Sequence, residues 1–315
     1  MMLKVAILGI GNMGRNHLRI LSMLKNVEVT HIFDFNEEEL KELSDQYQVP
    51  YTTDANVAIA GADAVVIVTP TSTHFDYFNL CAGKVKNVFI EKPLAETLEQ
   101  ASKIEDLAKE HGMFIQCGFI ERFNPVVVEL KRVLEKDEVI NADFSRTNRL
   151  SSRITDVDVV LDLMIHDIDL ALYLNGAVKS VVAYGKKEQG LVAFASALLQ
   201  HENGSLSRIL ASRMTEKKQR TIQVTTANAY IDAELVRKEL LVHKQSKMTQ
   251  ETGQPYVVSS LEQKIEVKPQ EALLMEHQAF ISACSGNISP NLPTVTSGVE
   301  SLRISELILE QINHV

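Results

Sequence analysis

The sequence opens on a short apolar run, Lys4–Gly9, which breaks into Gly9-Ile10-Gly11-Asn12-Met13-Gly14 and continues as a helical pattern over Met13–Leu24. No other feature limits the fold as tightly. A lone G-x-G-x-x-G is weak, but between a strand and a helix it has a specific use. Gly9 allows the tight turn, Gly11 lets the backbone approach a pyrophosphate, and Gly14 lets the helix pack closely on the strand. The amides at the helix start, Asn12 and Met13 among them, face that anion, and the helix dipole favours its charge. Arg15 is open between a pyrophosphate contact and a solvated helix position.

Four more apolar runs follow, Val27–Phe33, Ala64–Thr69, Val88–Ile90 and Met113–Cys117. Helical spacing separates them over Glu37–Tyr47, Phe75–Cys81 and Leu98–Glu110. Strand–helix alternation at this spacing predicts a doubly wound α/β domain with a parallel sheet. Asp34 ends the second run, 20 residues after Gly14. A carboxylate there accepts the ribose hydroxyls of NAD and repels the extra phosphate of NADP. Phe35 and Asn36 come next, with no arginine to compensate, so NAD is the expected cofactor.

The pattern changes near residue 120. A helix is expected over Val126–Lys136, a strand over Asn141–Thr147, and a helix over Asp158–Leu174 with Gly176 as its stop. From Val178 to about Val267 short strands follow one another without helices, among them Val192–Leu199, Ser205–Ser212, Thr221–Thr226 and Tyr230–Ala233. His201-Glu202-Asn203-Gly204 marks a hairpin. That predicts a large open, mostly antiparallel sheet. Two helices, Pro269–Cys284 and Val295–Asn313, close the chain. The expected domains are 1–120 and 121–315, with the last helix packing back on the first.

Composition narrows the function. The chain has 315 residues with 45% hydrophobic and 23% charged, an ordinary globular balance. No apolar run reaches the roughly 18 residues of a membrane span, and the first apolar stretch breaks too early for a signal peptide. Cytoplasmic localisation is the expectation. A net charge of −9 argues against nucleic acid as a partner. Cys81, Cys117 and Cys284 are scattered, which fits a reducing compartment and neither a disulfide framework nor a zinc site. Only one histidine stands in the acidic helix, so no metal is expected.

Two further pieces sit where strands end, the usual ligand edge of such sheets. They are Thr69-Pro70-Thr71-Ser72-Thr73-His74 and Glu91-Lys92-Pro93. A lysine before proline is held extended and points in a definite direction. Position alone leaves Lys92 open between a functional lysine and a solvated one. The glycine fingerprint, Thr-Pro…His, Glu-Lys-Pro and Asp162-x-x-x-His166-x-x-Asp169 occur in order. Together they resemble the Gfo/Idh/MocA family of NAD(P)-dependent oxidoreductases over essentially the whole chain. The resemblance implies a Rossmann domain and a C-terminal α/β domain whose sheet forms a homodimer or homotetramer. It implies Lys92, Asp162 and His166 as catalytic, and Thr69, Pro70, Thr71, His74, Glu91 and Lys92 as cofactor contacts beside the glycines and Asp34. One departure stands out: Asp156-Val157-Asp158-Val159-Val160-Leu161 replaces the Gly-Gly pair many members carry before that Asp.

Phe119-Ile120-Glu121-Arg122-Phe123-Asn124-Pro125 and Asp162–Asp169 resemble the family's nucleotide-sugar branch, most closely the UDP-N-acetylglucosamine 3-dehydrogenases. Such enzymes oxidise the sugar C3 hydroxyl to a ketone, which an aminotransferase converts to an amine that can feed lipid A. Oxidising an alcohol needs a base for the hydroxyl proton and a cation for the developing alkoxide. His166 suits the first role and Lys92 the second. Asp162, four residues before His166, shares its helix face. Asp169 lies near it, and the acids of this stretch also complement the helix dipole. A nucleotide-sugar diphosphate calls for arginine forks. Arg146, Arg149, Arg153 and Arg122 are candidates, with Asn124 beside them, and a solvated basic loop is the plain alternative. Lys217-Lys218-Gln219-Arg220 reads as a hairpin charge run. Two other functions stay open: a sugar or polyol dehydrogenase, of inositol or UDP-GlcNAc uronate type, and a catalytically silent NAD or sugar sensor.

Overall fold

The computed structural model describes residues 2–149, 157–249 and 257–314. The chain forms two compact units, Met1–Phe123 with Glu271–Arg303, and Asn124–Gln270 with Ile304–Val315. The division is therefore discontinuous in the chain; the expectation from sequence is 1–120 and 121–315 with the last helix packing back on the first domain.

The first unit holds β1 (Leu3–Leu8), α1 (Asn12–Met23), β2 (Val27–Phe33), α2 (Glu37–Tyr47), β3 (Tyr51–Thr52), α3 (Ala55–Ile59), β4 (Ala64–Ile67), α4 (His74–Cys81), β5 (Asn87–Glu91), α5 (Leu98–Glu110) and β6 (Phe114–Gly118). The strands are parallel in the order β3-β2-β1-β4-β5-β6. Strand order reverses between β1 and β4, and in open α/β sheets ligands bind beyond the carboxyl ends there. Helices cover both faces, which is why β1 and β4 read as continuous apolar runs rather than alternating ones. Side chains begin α2, α3 and α5: Asn36, Asp54 and Thr97 each accept a first-turn amide. The return segment adds α8 (Ala272–Cys284), whose Phe280 and Ile281 join Val5, Ile7, Leu18, Val66 and Phe89 in one core.

In the second unit, α6 (Pro125–Leu134) is followed by β7 (Val139–Thr147), a π turn over Val160–Met164 and α7 (Ile165–Asn175). Then come β8 (Val178–Glu188), β9 (Leu191–His201), β10 (Leu206–Ser212), β11 (Gln219–Thr226), β12 (Ala229–Glu234), β13 (Glu239–Thr249) and β14 (Val257–Ile265). They form one eight-stranded sheet, β14-β13-β12-β11-β7-β10-β9-β8, antiparallel except where β10 meets β7. One face carries α6, α7 and the end of α9 (Val295–Asn313), and its core includes Val126, Phe144, Ile168, Ile209 and Ile308. On the other face Val182 lies opposite Leu198 across β8 and β9, and both are exposed.

Candidate functional site

In the first unit the glycine turn does its steric work through three separate contacts. Gly9 has φ +96°, and a Cβ there would lie 2.7 Å from the Val68 carbonyl oxygen. A Cβ on Gly14 would lie 2.1 Å from the Gly9 carbonyl oxygen. At Gly11 a Cβ would meet nothing within 4 Å, so the turn leaves open space in front of the start of α1. No side chain caps α1 and no acid stands in its first turn, unlike α2 with Glu37, Glu38 and Glu39. An uncapped helix start behind an open glycine turn fits a dinucleotide pyrophosphate. Asn12 and Met13, exposed in that first turn, border this space.

Asp34 leaves the end of β2. Its Oδ2 accepts the Ile10 amide at 2.9 Å and its Oδ1 accepts the Phe35 amide at 2.7 Å. The carboxylate thus locks the glycine turn to β2; Oδ1 also accepts the Asn36 amide at 3.3 Å, and the second lone pair of Oδ2 stays available to a ribose hydroxyl. Phe35 beside it is 79% exposed. Arg15 pairs with Glu39 at 2.8 Å, so that its charge is answered on α2.

The segment after β4 turns through a 3-10 helix, Thr71–Thr73, into α4. Thr69 and Thr71 are half-buried and Pro70 exposed, at the carboxyl edge of the sheet. His74 and Glu91, expected at the cofactor, both bond the protein itself. The His74 ring is buried, with Nδ1 2.9 Å from the Pro93 carbonyl and Nε2 2.9 Å from the Thr69 carbonyl. Burial lowers its pKa, although both carbonyl partners pull the other way. Glu91 is buried, with Oε1 2.9 Å from His17 Nε2 and Oε2 accepting the Lys92 amide at 3.0 Å. Lys92 itself is half-buried at the end of β5, ahead of a cis bond to Pro93. Arg122 is buried in the 3-10 turn Ile120–Phe123 of this unit.

In the second unit Asp162 lies inside the π turn, and His166 in the first turn of α7. The expected uninterrupted α-helix is therefore widened ahead of His166. The Ile165 amide reaches back to the Val160 carbonyl, five residues away; such turns recur at functional sites. Both side chains are half-buried, while Asp167 and Asp169 point into the interior. Asp162 Oδ2 accepts Arg213 Nη2 at 2.9 Å, and Arg213 also donates to the Val157 carbonyl. Arg213 follows β10 and went unnoticed in the sequence, because only the sheet brings it to Asp162.

Of the arginines expected around a diphosphate, Arg122 belongs to the first unit and Arg146 and Arg149 to the second. Arg146 is buried and grips Asp167 with two bonds of 2.8 Å, Nε to Oδ2 and Nη2 to Oδ1. The alternating pattern of β7 turns its side chain into the core, where only an ion pair is tolerated. Arg149 is exposed and pairs with Glu216. Arg153 lies outside the described residues. Asn124 caps α6, accepting the Val126 amide at 3.1 Å. Two further residues escaped sequence reading, His17 and His277. Each sits on an apolar helix face, where a histidine looks like ordinary core.

A six-stranded parallel sheet with a glycine turn, an uncapped helix start and a strand-end acid defines a dinucleotide-binding Rossmann domain. Residues 3–119 match the family model described as an oxidoreductase family with an NAD-binding Rossmann fold, and residues 137–232 match the C-terminal domain model of the same family. The chain belongs to the Gfo/Idh/MocA family of NAD-binding oxidoreductases. It is 25% identical over 313 residues to UDP-N-acetylglucosamine 3-dehydrogenase of Acidithiobacillus ferrooxidans, covering 98% of this chain and 96% of that one. The solved structure of that enzyme superposes with a TM-score of 0.90 at 23% identity, covering 100% and 99% of the two chains. Myo-inositol 2-dehydrogenase of Thermotoga maritima is 26% identical over 320 residues, covering 94% and 91%. Levoglucosan dehydrogenase, solved with NADH, has the same fold, with a TM-score of 0.84 at 19% identity over 100% and 98% of the chains.

Proposed function

We propose that this protein oxidises a ring hydroxyl of a nucleotide-linked sugar, the C3 hydroxyl of UDP-N-acetylglucosamine, to the ketone. The observation that carries the reading is the near full-length match to an enzyme named for that reaction. Gly9, Gly11, Asn12, Met13, Gly14 and Asp34 hold the dinucleotide, with Thr69, Pro70 and Thr71 at the strand edge. The bound NAD supplies the hydride acceptor. His166 takes the hydroxyl proton, since an imidazole titrates near working pH. The Lys92 ammonium stabilises the developing alkoxide. Asp162, tied to Arg213, accepts a sugar hydroxyl and orients the ring.

A second reading, a neutral polyol as substrate, draws support from the inositol dehydrogenase relative and from the arginines. Arg146 and Arg149 both answer acids of this chain, whereas a diphosphate needs its own cations.

The experiment supplies NAD with UDP-N-acetylglucosamine or with myo-inositol, adds a carbonyl trap, and follows the reduced cofactor. Turnover of the nucleotide sugar is expected, with Lys92→Ala and His166→Ala each losing about 10²–10⁴-fold in kcat. Oxidation of inositol with none of any UDP-sugar selects the second reading. NAD binding by calorimetry without turnover of either overturns both and leaves a sensor.

A further inference from the structure

Behind Lys92 runs a chain of buried polar side chains from three elements of the first unit. His17 of α1 stands 2.9 Å from Glu91 through Nε2 and 2.7 Å from His277 Nε2 through Nδ1. Both imidazoles have zero exposure. Their rings pack on Phe89, with centroids 5.3 and 5.4 Å from it. The opposite side of the carboxylate is closed by Gly118, where a Cβ would lie 2.9 Å from Glu91 Cδ. Any side chain at position 118 would push Glu91 off its partners.

The partners fix which atoms carry protons. An ionised carboxylate only accepts, so His17 Nε2 donates to Glu91. A neutral His17 then accepts at Nδ1, and His277 Nε2 donates to it. His277 Nδ1 is left as a bare lone pair, with no hydrogen-bond partner among the described residues. Reversing the chain would put a buried N–H on that atom with nothing to receive it, the costlier defect. Burial and the neighbouring His17 hold the His277 pKa well below its ordinary value, which agrees with a neutral ring.

We propose that His17 and His277 are positioning residues, which hold the Glu91 carboxylate so that its second oxygen binds the Lys92 amide and thereby sets the direction of the lysine. His74 does the same one residue later, through the Pro93 carbonyl. The inference rests on the reading of Lys92 as the residue that meets the alkoxide. The lysine is thus fixed through its backbone on both sides.

The test compares His277→Leu, which removes the donor, with His277→Gln, whose amide nitrogen reaches the place of Nε2. The Leu variant is expected to lose about 10–100-fold in kcat, as outer-shell changes do, with NAD affinity kept. The Gln variant is expected to recover most of it. Nitrogen-15 spectra of the imidazoles, which need no substrate, are expected to show His17 protonated at Nε2 and bare at Nδ1. A His17 ring protonated at Nδ1 overturns the proposal. So does a Leu variant with native kcat that loses only thermal stability. Full activity in Lys92→Ala sinks the reading of Lys92 itself. An inactive Lys92→Ala beside a fully active His277→Leu sinks only the positioning role. If the Leu variant does not fold, the Gln variant and the spectra still decide.

Discussion

At the scale of single residues, the glycine turn separates two jobs that one motif usually hides. Gly14 is needed by the fold, because a methyl there would meet the Gly9 carbonyl oxygen. Gly11 meets no protein atom, so it is needed only for what approaches from outside. Gly14→Ala is therefore expected to cost about 1–3 kcal/mol of stability by overpacking. Gly11→Ala is expected to keep the native Tm and lose about 10-fold or more in NAD affinity, roughly 1.4 kcal/mol. Calorimetric titration and thermal melts of the two variants read this directly; a Gly11 variant that melts early and binds NAD normally would reverse the assignment. The motif was legible in the sequence because its parts are neighbours in the chain. The partners of Glu91 were not, since His17 and His277 are 260 residues apart and meet only in the folded core.

At the scale of elements, the parallel sheet was readable to within one or two residues at every strand but the short β3, because a strand buried on both faces is an unbroken apolar run. The π turn was not. Its residues, Val160-Leu161-Asp162-Leu163-Met164, carry the same apolar spacing as an α-helix, and only the extra residue per turn distinguishes the two. The partner of Arg146 was hidden for a related reason. Arg146 lies in a charge-rich stretch, yet strand alternation points it inward to Asp167, joining β7 to α7. Asp167→Asn leaves the guanidinium buried beside a neutral group, and is expected to cost about 3–5 kcal/mol in urea unfolding. Replacing both partners, Arg146→Met with Asp167→Leu, is expected to restore most of that. Equal losses in the single and double variants would show that shape, not charge, matters at this joint.

At the scale of the whole molecule, three buried imidazoles make stability depend on pH. His74, His201 and His277 are each held below the ordinary value of 6.5, chiefly by burial. The unfolded chain binds these protons first, so their contribution is intact above about pH 6.5 and is lost as pH falls through the lower folded values. Each such proton contributes at most about 1.4 kcal/mol per pH unit. Asp137, whose pKa is lowered from 3.8 by the Thr226 hydroxyl, acts only in more acid solution. Tm is thus expected to fall between about pH 7 and pH 5; a flat Tm across that range would contradict it.

The division of the chain bears on how the protein is made. Phe280 and Ile281 complete the core of the first unit, and Ile304, Ile308 and Ile312 complete that of the second. On the ribosome, the first unit lacks its full interior until α8 has emerged, and the second until α9 has. Synthesis in order therefore yields no early finished half, and the nascent chain carries open apolar surface until these helices have emerged. Removing α8 together with α9 takes parts of both interiors at once.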